Sequence, residues 1–317
     1  GRRAGDIEDI WQVLYRGGFY RGGPVLTSAI SGIEQALWDI KGKALGVPIY
    51  ELMGGAVRHK MRTYVWVGGD RPENVAKAAR ERLEQGYTAL KMNATEELAW
   101  IDSHEKVDQA VARVAAIRDA IGPDIKLMVD ANLAYNASSA IRIGQRLAEL
   151  DILWFEEPVN ARDIDAYLQV KAALPMAIAG GENLRTRFDF RDFLVRRAFD
   201  IVQPDIAMCG GITEMQRIAA MANACGIQLF SHIWGSPIMI AASLHLMATL
   251  PPCPPARNPE PFSQEPVMEF DRTPSAIREE LSPNPFDQQD GYISVPTGPG
   301  LGVEIDEAAL HRLSVSR

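Results

Sequence analysis

Asp130, Glu156 and Glu182 follow one another at intervals of 26 residues, and each closes a short apolar run: IKLMVD, ILWFE and MAIAGGE. The interval alone is weak, because 41 acidic residues in a chain of 317 produce such a triplet by chance. Context makes it constraining. Each run has the length and aliphatic character of a buried strand, and each acid is followed by a polar loop and then a helical pattern, so one interval is one strand-loop-helix-loop unit. Units of that kind build a parallel sheet with helical crossovers, whose strand ends all lie on the same side. Three carboxylates on neighbouring strands then meet at one rim. Three hard oxygen donors, with no His or Cys among them, favour Mg²⁺ over Zn²⁺.

The same alternation extends in both directions. Strands read at 61–67, 87–92, 125–130, 152–156, 176–180, 200–203, 227–231 and 267–270, with helices beginning near Arg71, Ser103, Ala137, Ala161, Thr186, Thr213 and Ser236. Eight such strands close most readily into an α/β TIM barrel over residues 56–271. Residues 1–55 read as a helical leading segment, with Ile30, Ile33, Leu37, Trp38 and Ile40 expected on one apolar face. The proline-rich stretch 251–266 reads as a long loop, and 272–317 as short strands and turns that pack back on the leading helices. Gly1 to Asp6 carries no initiator Met and runs at once into a helical pattern, so further N-terminal sequence is expected to precede it.

Composition narrows the function classes. A net charge of −8 and a pI near 5.3, without basic clusters, argue against nucleic acid or an anionic membrane as partner. Cys209, Cys225 and Cys253 are odd in number and widely spaced, which fits structural thiols in a reducing cytoplasm. No apolar stretch approaches the ~18 residues of a membrane span.

Other polar residues fall at the remaining strand ends, where barrels of this kind carry their chemistry. Lys91 and Asn93 close the second strand as KMN, Asn132 follows Asp130, Asp205 ends QPD, His232 lies in FSHIWG, and Glu269 lies in the eighth strand. An isolated strand-end His is usually structural. His232 differs because it falls one barrel unit after Asp205, whose carboxylate on the adjacent strand would orient the imidazole and raise its basicity. Lys91, facing three carboxylates, serves as base, proton donor or fixed cation. Glu157 alternates to the other face and is expected to pair with a basic side chain. The CGGITE turn at 209–214 reads as a tight strand-to-helix turn more readily than as a phosphate site. A divalent ion chelating a carboxylate, with a base beside it, suits removal of an α-proton to give an enediolate.

At these residues the chain resembles the mandelate racemase subgroup of the enolase superfamily. The matching text runs from ALWDIKGKALGVPIYELMGG through VD, FEEPV, AGGE, QPD, SHIWG and VMEFD to VPTGPGLGVEID. The first half, with GFYRGGP, WVGGDRP, KMN and EELAWID, resembles the galactonate dehydratases of that subgroup. The second half, with HIWGSPIMIAA and PVMEFDRTPS, looks more like its sugar-acid lactone cycloisomerases. The resemblance implies a modified (β/α)₇β barrel, a smaller α+β capping domain of which this chain holds the helical part, Mg²⁺, and a bacterial sugar-acid substrate bound by a homo-oligomer between dimer and octamer. It also implies that Asp130, Glu156 and Glu182 bind the metal, that His232 with Asp205 moves protons, and that Glu269 bonds the substrate carboxylate or enediolate. Two departures stand out. Asn93 occupies the place of a second lysine in many members, and Asn132 that of a histidine in galactonate dehydratases. Asn cannot donate a proton to a leaving hydroxyl. The expected activity is dehydration of an aldonic or aldaric acid to a 2-keto-3-deoxy acid, with a lactone cycloisomerase or an inactive metal-binding barrel as alternatives.

Overall fold

The computed structural model describes residues 1–69, 71–93 and 103–314. Residue 70 of WVGGDRP and all of EELAWID lie outside these. The chain opens with α1 (Ile7–Gly17), α2 (Pro24–Leu45) and α3 (Ile49–Leu52). Strand and helix then alternate: β1 (Lys60–Val67), α4 (Pro72–Glu84), β2 (Ala89–Asn93), α5 (His104–Ile121), β3 (Lys126–Asp130), α6 (Ala137–Ala148), β4 (Trp154–Glu156), α7 (Ile164–Ala173), β5 (Ala177–Gly180), α8 (Thr186–Val195), β6 (Ile201–Val202), α9 (Ile212–Ala224), β7 (Gln228–Leu229), α10 (Pro237–Thr249) and β8 (Met268–Glu269). After the eighth strand come α11 (Ala276–Glu280), β9 (Tyr292–Ser294) and α12 (Glu307–Leu313). Helix α7 starts later than its sequence suggests because the Asp163 side chain accepts the N–H of Ala166 and caps it there. No helix among the described residues is long and apolar enough to cross a membrane.

Strands β1 to β8 are parallel in the order β7-β6-β5-β4-β3-β2-β1-β8, and β9 pairs antiparallel with β1. Among the described residues β7 and β8 share no ladder, so side chains close the cylinder. Tyr64, Ala89, Met128, Trp154, Ala179, Ile201, Phe230 and Val267, one from each strand or its flank, form a buried cluster separate from the larger core under the helices. Period-two alternation then points every second residue beyond this plug into the same interior. That parity positions the polar residues of the rim.

The buried face of α2 is the expected one only in part: Ile30 and Trp38 are buried and Leu37 packs on the core, but Ile33 and Ile40 are exposed, and Thr27, Ser31 and Glu34 are buried in their stead. The reason is polar. Glu34 accepts the backbone N–H groups of Ile212 (2.7 Å) and Thr213 (2.9 Å), the Thr213 hydroxyl (2.5 Å) and Trp38 Nε1 (2.7 Å), while Ser31 Oγ accepts the N–H of Gly210 (3.0 Å). A carboxylate from α2 therefore occupies the N-terminus of α9, where the first N–H groups have no partner within the helix. Gly211 makes room for it: its φ is +92°, and a Cβ there would lie 2.2 Å from Glu34 Oε2. The CGGITE turn thus receives an anion from its own chain. At the other end of α2, Asp39 accepts the N–H of Leu301 (2.8 Å), so the C-terminal segment packs on the leading helices.

Glu34→Ala is expected to orphan these buried donors, at about 1–3 kcal/mol each for those that water cannot reach, and to lower the thermal midpoint by several degrees. Scanning calorimetry checks this; a midpoint within about 1 °C of the parent would contradict it.

Candidate active site

Register sets the first row of the site. Asn93 pairs with Asp130, Asp130 with Glu156, and Glu156 with Ala179, so three polar side chains stand abreast on β2, β3 and β4. Lys91, two residues before Asn93, points inward one layer deeper. Its Nζ lies 2.5 Å from Glu156 Oε1, 2.8 Å from Glu269 Oε1 and 3.7 Å from Asp130 Oδ2.

Glu182 does not follow from register. On a continuing strand it would face outward, since Ala179 faces inward. Gly181, with φ +116°, turns the chain instead, and Glu182 Oε2 comes to 3.4 Å from His232 Nε2. The buried side chain of Glu157 holds this turn. Its Oε1 accepts the N–H of Gly181 (2.6 Å) and its Oε2 the hydroxyl of Tyr167 (2.5 Å). The expected basic partner is not what it meets, because α7 and the β5 backbone face it rather than a cation. Burial, with the charge of Glu182 added, pushes the Glu157 carboxyl up to about 8.

Across the barrel, Asp205 and His232 form a bridge between adjacent strand ends, and His232 Nδ1 lies 2.8 Å from Asp205 Oδ2. The other Asp205 oxygen accepts the N–H of Ala207 (2.8 Å). With Nδ1–H donated to Asp205, Nε2 is the nitrogen turned toward Glu182 and the carboxylate row.

The electrostatics are those of too many carboxylates. Burial and the charge of Glu156 push Asp130 up to about 7. Burial raises Glu182 as well. For Glu156 burial is outweighed by the Lys91 charge and by hydrogen bonds from Lys91, Gln203 and Trp154, which hold it low. Burial also opposes the Lys91 ammonium, but Glu156 and Glu269 raise its pKa well above the ordinary value. For His232, burial is outweighed by the Asp205 hydrogen bond and the charge of Glu182, and the imidazole rises to about 10. Five carboxylates thus face one ammonium and one imidazole, a donor set and an excess of negative charge that fit a hard divalent cation. Among the described residues no three His, Cys, Asp or Glu side chains are already closed around one point; the carboxylates gather on Lys91 instead.

The remaining expected residues are peripheral. Asn132 is exposed, adopts a φ of +46° that Asn tolerates well, and gives its backbone N–H to Asp130 Oδ1 (2.8 Å). Sequence reasoning missed four residues. Gln203 and Trp154 donate to Glu156 Oε2 at 2.9 and 2.8 Å. Trp66, in register with Lys91, and Trp234, two residues after His232, meet edge to face at 6.4 Å between centroids. The parity of each strand was the available signal for Gln203, Trp154 and Trp66, each two residues from an inward side chain, whereas Trp234 lies beyond the end of β7.

Comparison with known proteins identifies the family of the fold. Residues 74–309 match the family described as enolase C-terminal domain-like, and residues 1–54 the mandelate racemase / muconate lactonizing enzyme N-terminal domain. A D-galactonate dehydratase from Verminephrobacter eiseniae is 43% identical over 97% of this chain and 79% of its own length, and one from Pectobacterium atrosepticum is 43% identical over the same shares. Among solved structures, the 3,6-anhydro-D-galactonate cycloisomerase from Zobellia galactanivorans superposes with a TM-score of 0.87 at 36% identity, covering 98% of this chain and 83% of that one. A member of the enolase superfamily from Salmonella Typhimurium gives 0.89 at 30%, covering 98% and 84%.

Lys91→Met removes the ammonium on which Asp130, Glu156 and Glu269 converge. Metal-free protein should lose on the order of 3–5 kcal/mol of stability. Carboxylates whose folded pKa is raised bind more protons folded than unfolded, so the deficit should grow as pH rises from the ordinary carboxylate range through about 7, where Asp130 already titrates. Thermal midpoints at pH 5 and pH 8 measure it, and equal deficits at both would contradict the electrostatic reading.

Proposed function

This chain belongs to the mandelate racemase / muconate lactonizing enzyme family of the enolase superfamily, and on that premise we propose that it is a Mg²⁺-dependent acid-sugar dehydratase. It is read as a carbon-oxygen lyase that takes an aldonic or aldaric acid to its 2-keto-3-deoxy product. The observation that carries this reading is the Asp205–His232 pair, whose Nε2 faces a row of carboxylates gathered on a buried lysine.

Asp130, Glu156 and Glu182 would hold the metal, which when bound supplies the electrophile that stabilises negative charge developing on the substrate carboxylate. His232 Nε2 removes the α-proton, and Asp205 keeps the imidazole in the tautomer that makes this nitrogen the acceptor. Charge neutralised at Glu182 would also bring the imidazole down from its raised value toward the range of a working base. Glu269 Oε2 is buried without a partner, which supports a role in accepting a hydrogen bond from the substrate or its enediol. Lys91, pinned by three carboxylates, acts as a fixed cation rather than a proton shuttle. Asn93 and Asn132 offer amides to substrate hydroxyls. Because Asn132 has no proton to give the departing 3-hydroxyl, the His232 imidazolium returns the proton it took, water leaves, and the enol tautomerises to the 2-keto acid. One shuttle serving both groups requires them on one face of the substrate, a syn elimination.

A second reading, opening of a sugar-acid lactone or cyclic ether by the same α-proton removal, is favoured by the likeness to the Zobellia cycloisomerase and by Asn132. A cytoplasmic homo-oligomer completes the proposal, supported by free cysteines throughout and by the exposed Phe19, Tyr20 and Val25.

Acid sugars and lactones screened with Mg²⁺ for 2-keto acid separate the two readings. Dehydration of acids with syn-disposed groups, and weak turnover of D-galactonate, is expected; efficient D-galactonate turnover would overturn the role given to Asn132. Asp205→Asn should lower kcat by on the order of 10³ or more while Mg²⁺ still binds. Near-parent turnover would remove the dyad from the mechanism. Glu182→Gln should lose Mg²⁺ affinity in calorimetric titration without a lower thermal midpoint, and unchanged affinity would take Glu182 out of the metal site.

A further inference from the structure

A second cavity, of about 420 Å³, opens between the loop before α2 and the turn between β5 and α8. None of the carboxylates described above lines it, nor does His232. Its polar wall is cationic, built from Arg21 of the leading segment, Arg162 of the β4–α7 loop and Arg185 of the β5–α8 turn. Among the described residues none of these guanidiniums forms a salt bridge. The single acid in the wall, Asp189, turns Oδ2 to the backbone N–H of Arg185 at 3.0 Å.

Two buried polar atoms in this wall have no partner. Thr27 is fully buried and its Oγ1 makes no hydrogen bond; Arg185 Nε is likewise unpaired. A buried donor left unpaired is costly enough that native structures nearly always supply an acceptor. Arg185 Nη1 donates to the carbonyl oxygens of Glu182 and Leu184, both at 3.2 Å, which occupies one nitrogen of that guanidinium and leaves Nε unpaired. The N-terminus of the 22-residue helix α2 completes the wall through Gly23 and Pro24, and no side chain caps it. Two guanidiniums without an ion pair, the Nε of a third, an unpaired hydroxyl and a helix N-terminus thus line one cavity.

We propose that this cavity, which adjoins the barrel rim but is lined by none of its carboxylates, is a binding site for a small oxyanion. Its chemistry is that of phosphate or carboxylate recognition: forked N–H donors from arginine, a hydroxyl donor, and the positive end of a helix. The volume exceeds that of the bare group and admits a short carbon chain bearing it.

Calorimetric titration of the whole chain with inorganic phosphate tests this without any turnover, in metal-free buffer at ionic strength held constant with chloride. One saturable site is expected. Arg21→Gln and Arg162→Gln, both on exposed residues, should each weaken it at least about fivefold, and Thr27→Val should weaken it while leaving Mg²⁺ titration unchanged. Glycerol 3-phosphate and succinate as parallel titrants separate a phosphate site from a carboxylate site; saturable binding of either one through these residues supports the proposal. It is overturned if no titrant gives a saturable heat beyond chloride, or if affinity is indifferent to both arginine changes. Binding lost in Lys91→Met but kept in the arginine variants would put the anion at the barrel mouth and equally overturn it.

Discussion

The convergence of buried carboxylates on Lys91 is the interaction from which the rest of the site follows. Isolated, Asp130 and Glu156 could not both remain ionised inside a barrel, because burial alone shifts a carboxyl toward its neutral form. One ammonium within 2.5 Å of Glu156 and 2.8 Å of Glu269 makes the cluster tolerable but leaves it short of positive charge. Asp130, pushed up to about 7, registers that shortage. The barrel therefore folds with an unsatisfied demand for a cation at its rim, and a hard divalent ion is the species that such a donor set answers.

Geometry is maintained by backbone that would be strained elsewhere. Glu157 and Asn132 both lie at positive φ, and Gly181 reaches +116°. Each adjoins a proposed metal ligand or lies next to one in sequence. The Glu157 carboxyl fastens the Gly181 turn from outside the barrel while Asn132 fastens Asp130 through its main chain. Two of the three proposed ligands are thereby oriented by hydrogen bonds within their neighbouring turns, an arrangement common around metal sites.

Much of this was legible in the sequence because it depends on local period. Strand runs ending in an acid, repeated at one unit length, gave the barrel and named the residues that meet at its rim; the Asp205–His232 interval placed two side chains on adjacent strands. What stayed hidden depends on partners far along the chain. The apolar stripe of α2 suggested that Ile33 and Ile40 face the core, yet Glu34 and Ser31 do, because the α9 turn more than 170 residues later needs acceptors. Glu157 was expected to pair with a basic side chain, since nothing near it in sequence reveals that Tyr167 and Gly181 will surround it. That β7 and β8 share no ladder among the described residues was equally unreadable: the side-chain plug fills the interior at that seam.

The central claim is that His232, oriented by Asp205 and facing the carboxylate row, removes the α-proton of an acid sugar bound at that row. Its most direct measurement is hydrogen exchange at C2 of aldonic and aldaric acids in D₂O, followed by NMR with and without Mg²⁺. Exchange or 2-keto acid formation that requires Mg²⁺ and disappears in His232→Asn is the predicted result. Neither process with any acid of the panel, or exchange that survives loss of the imidazole, would contradict it.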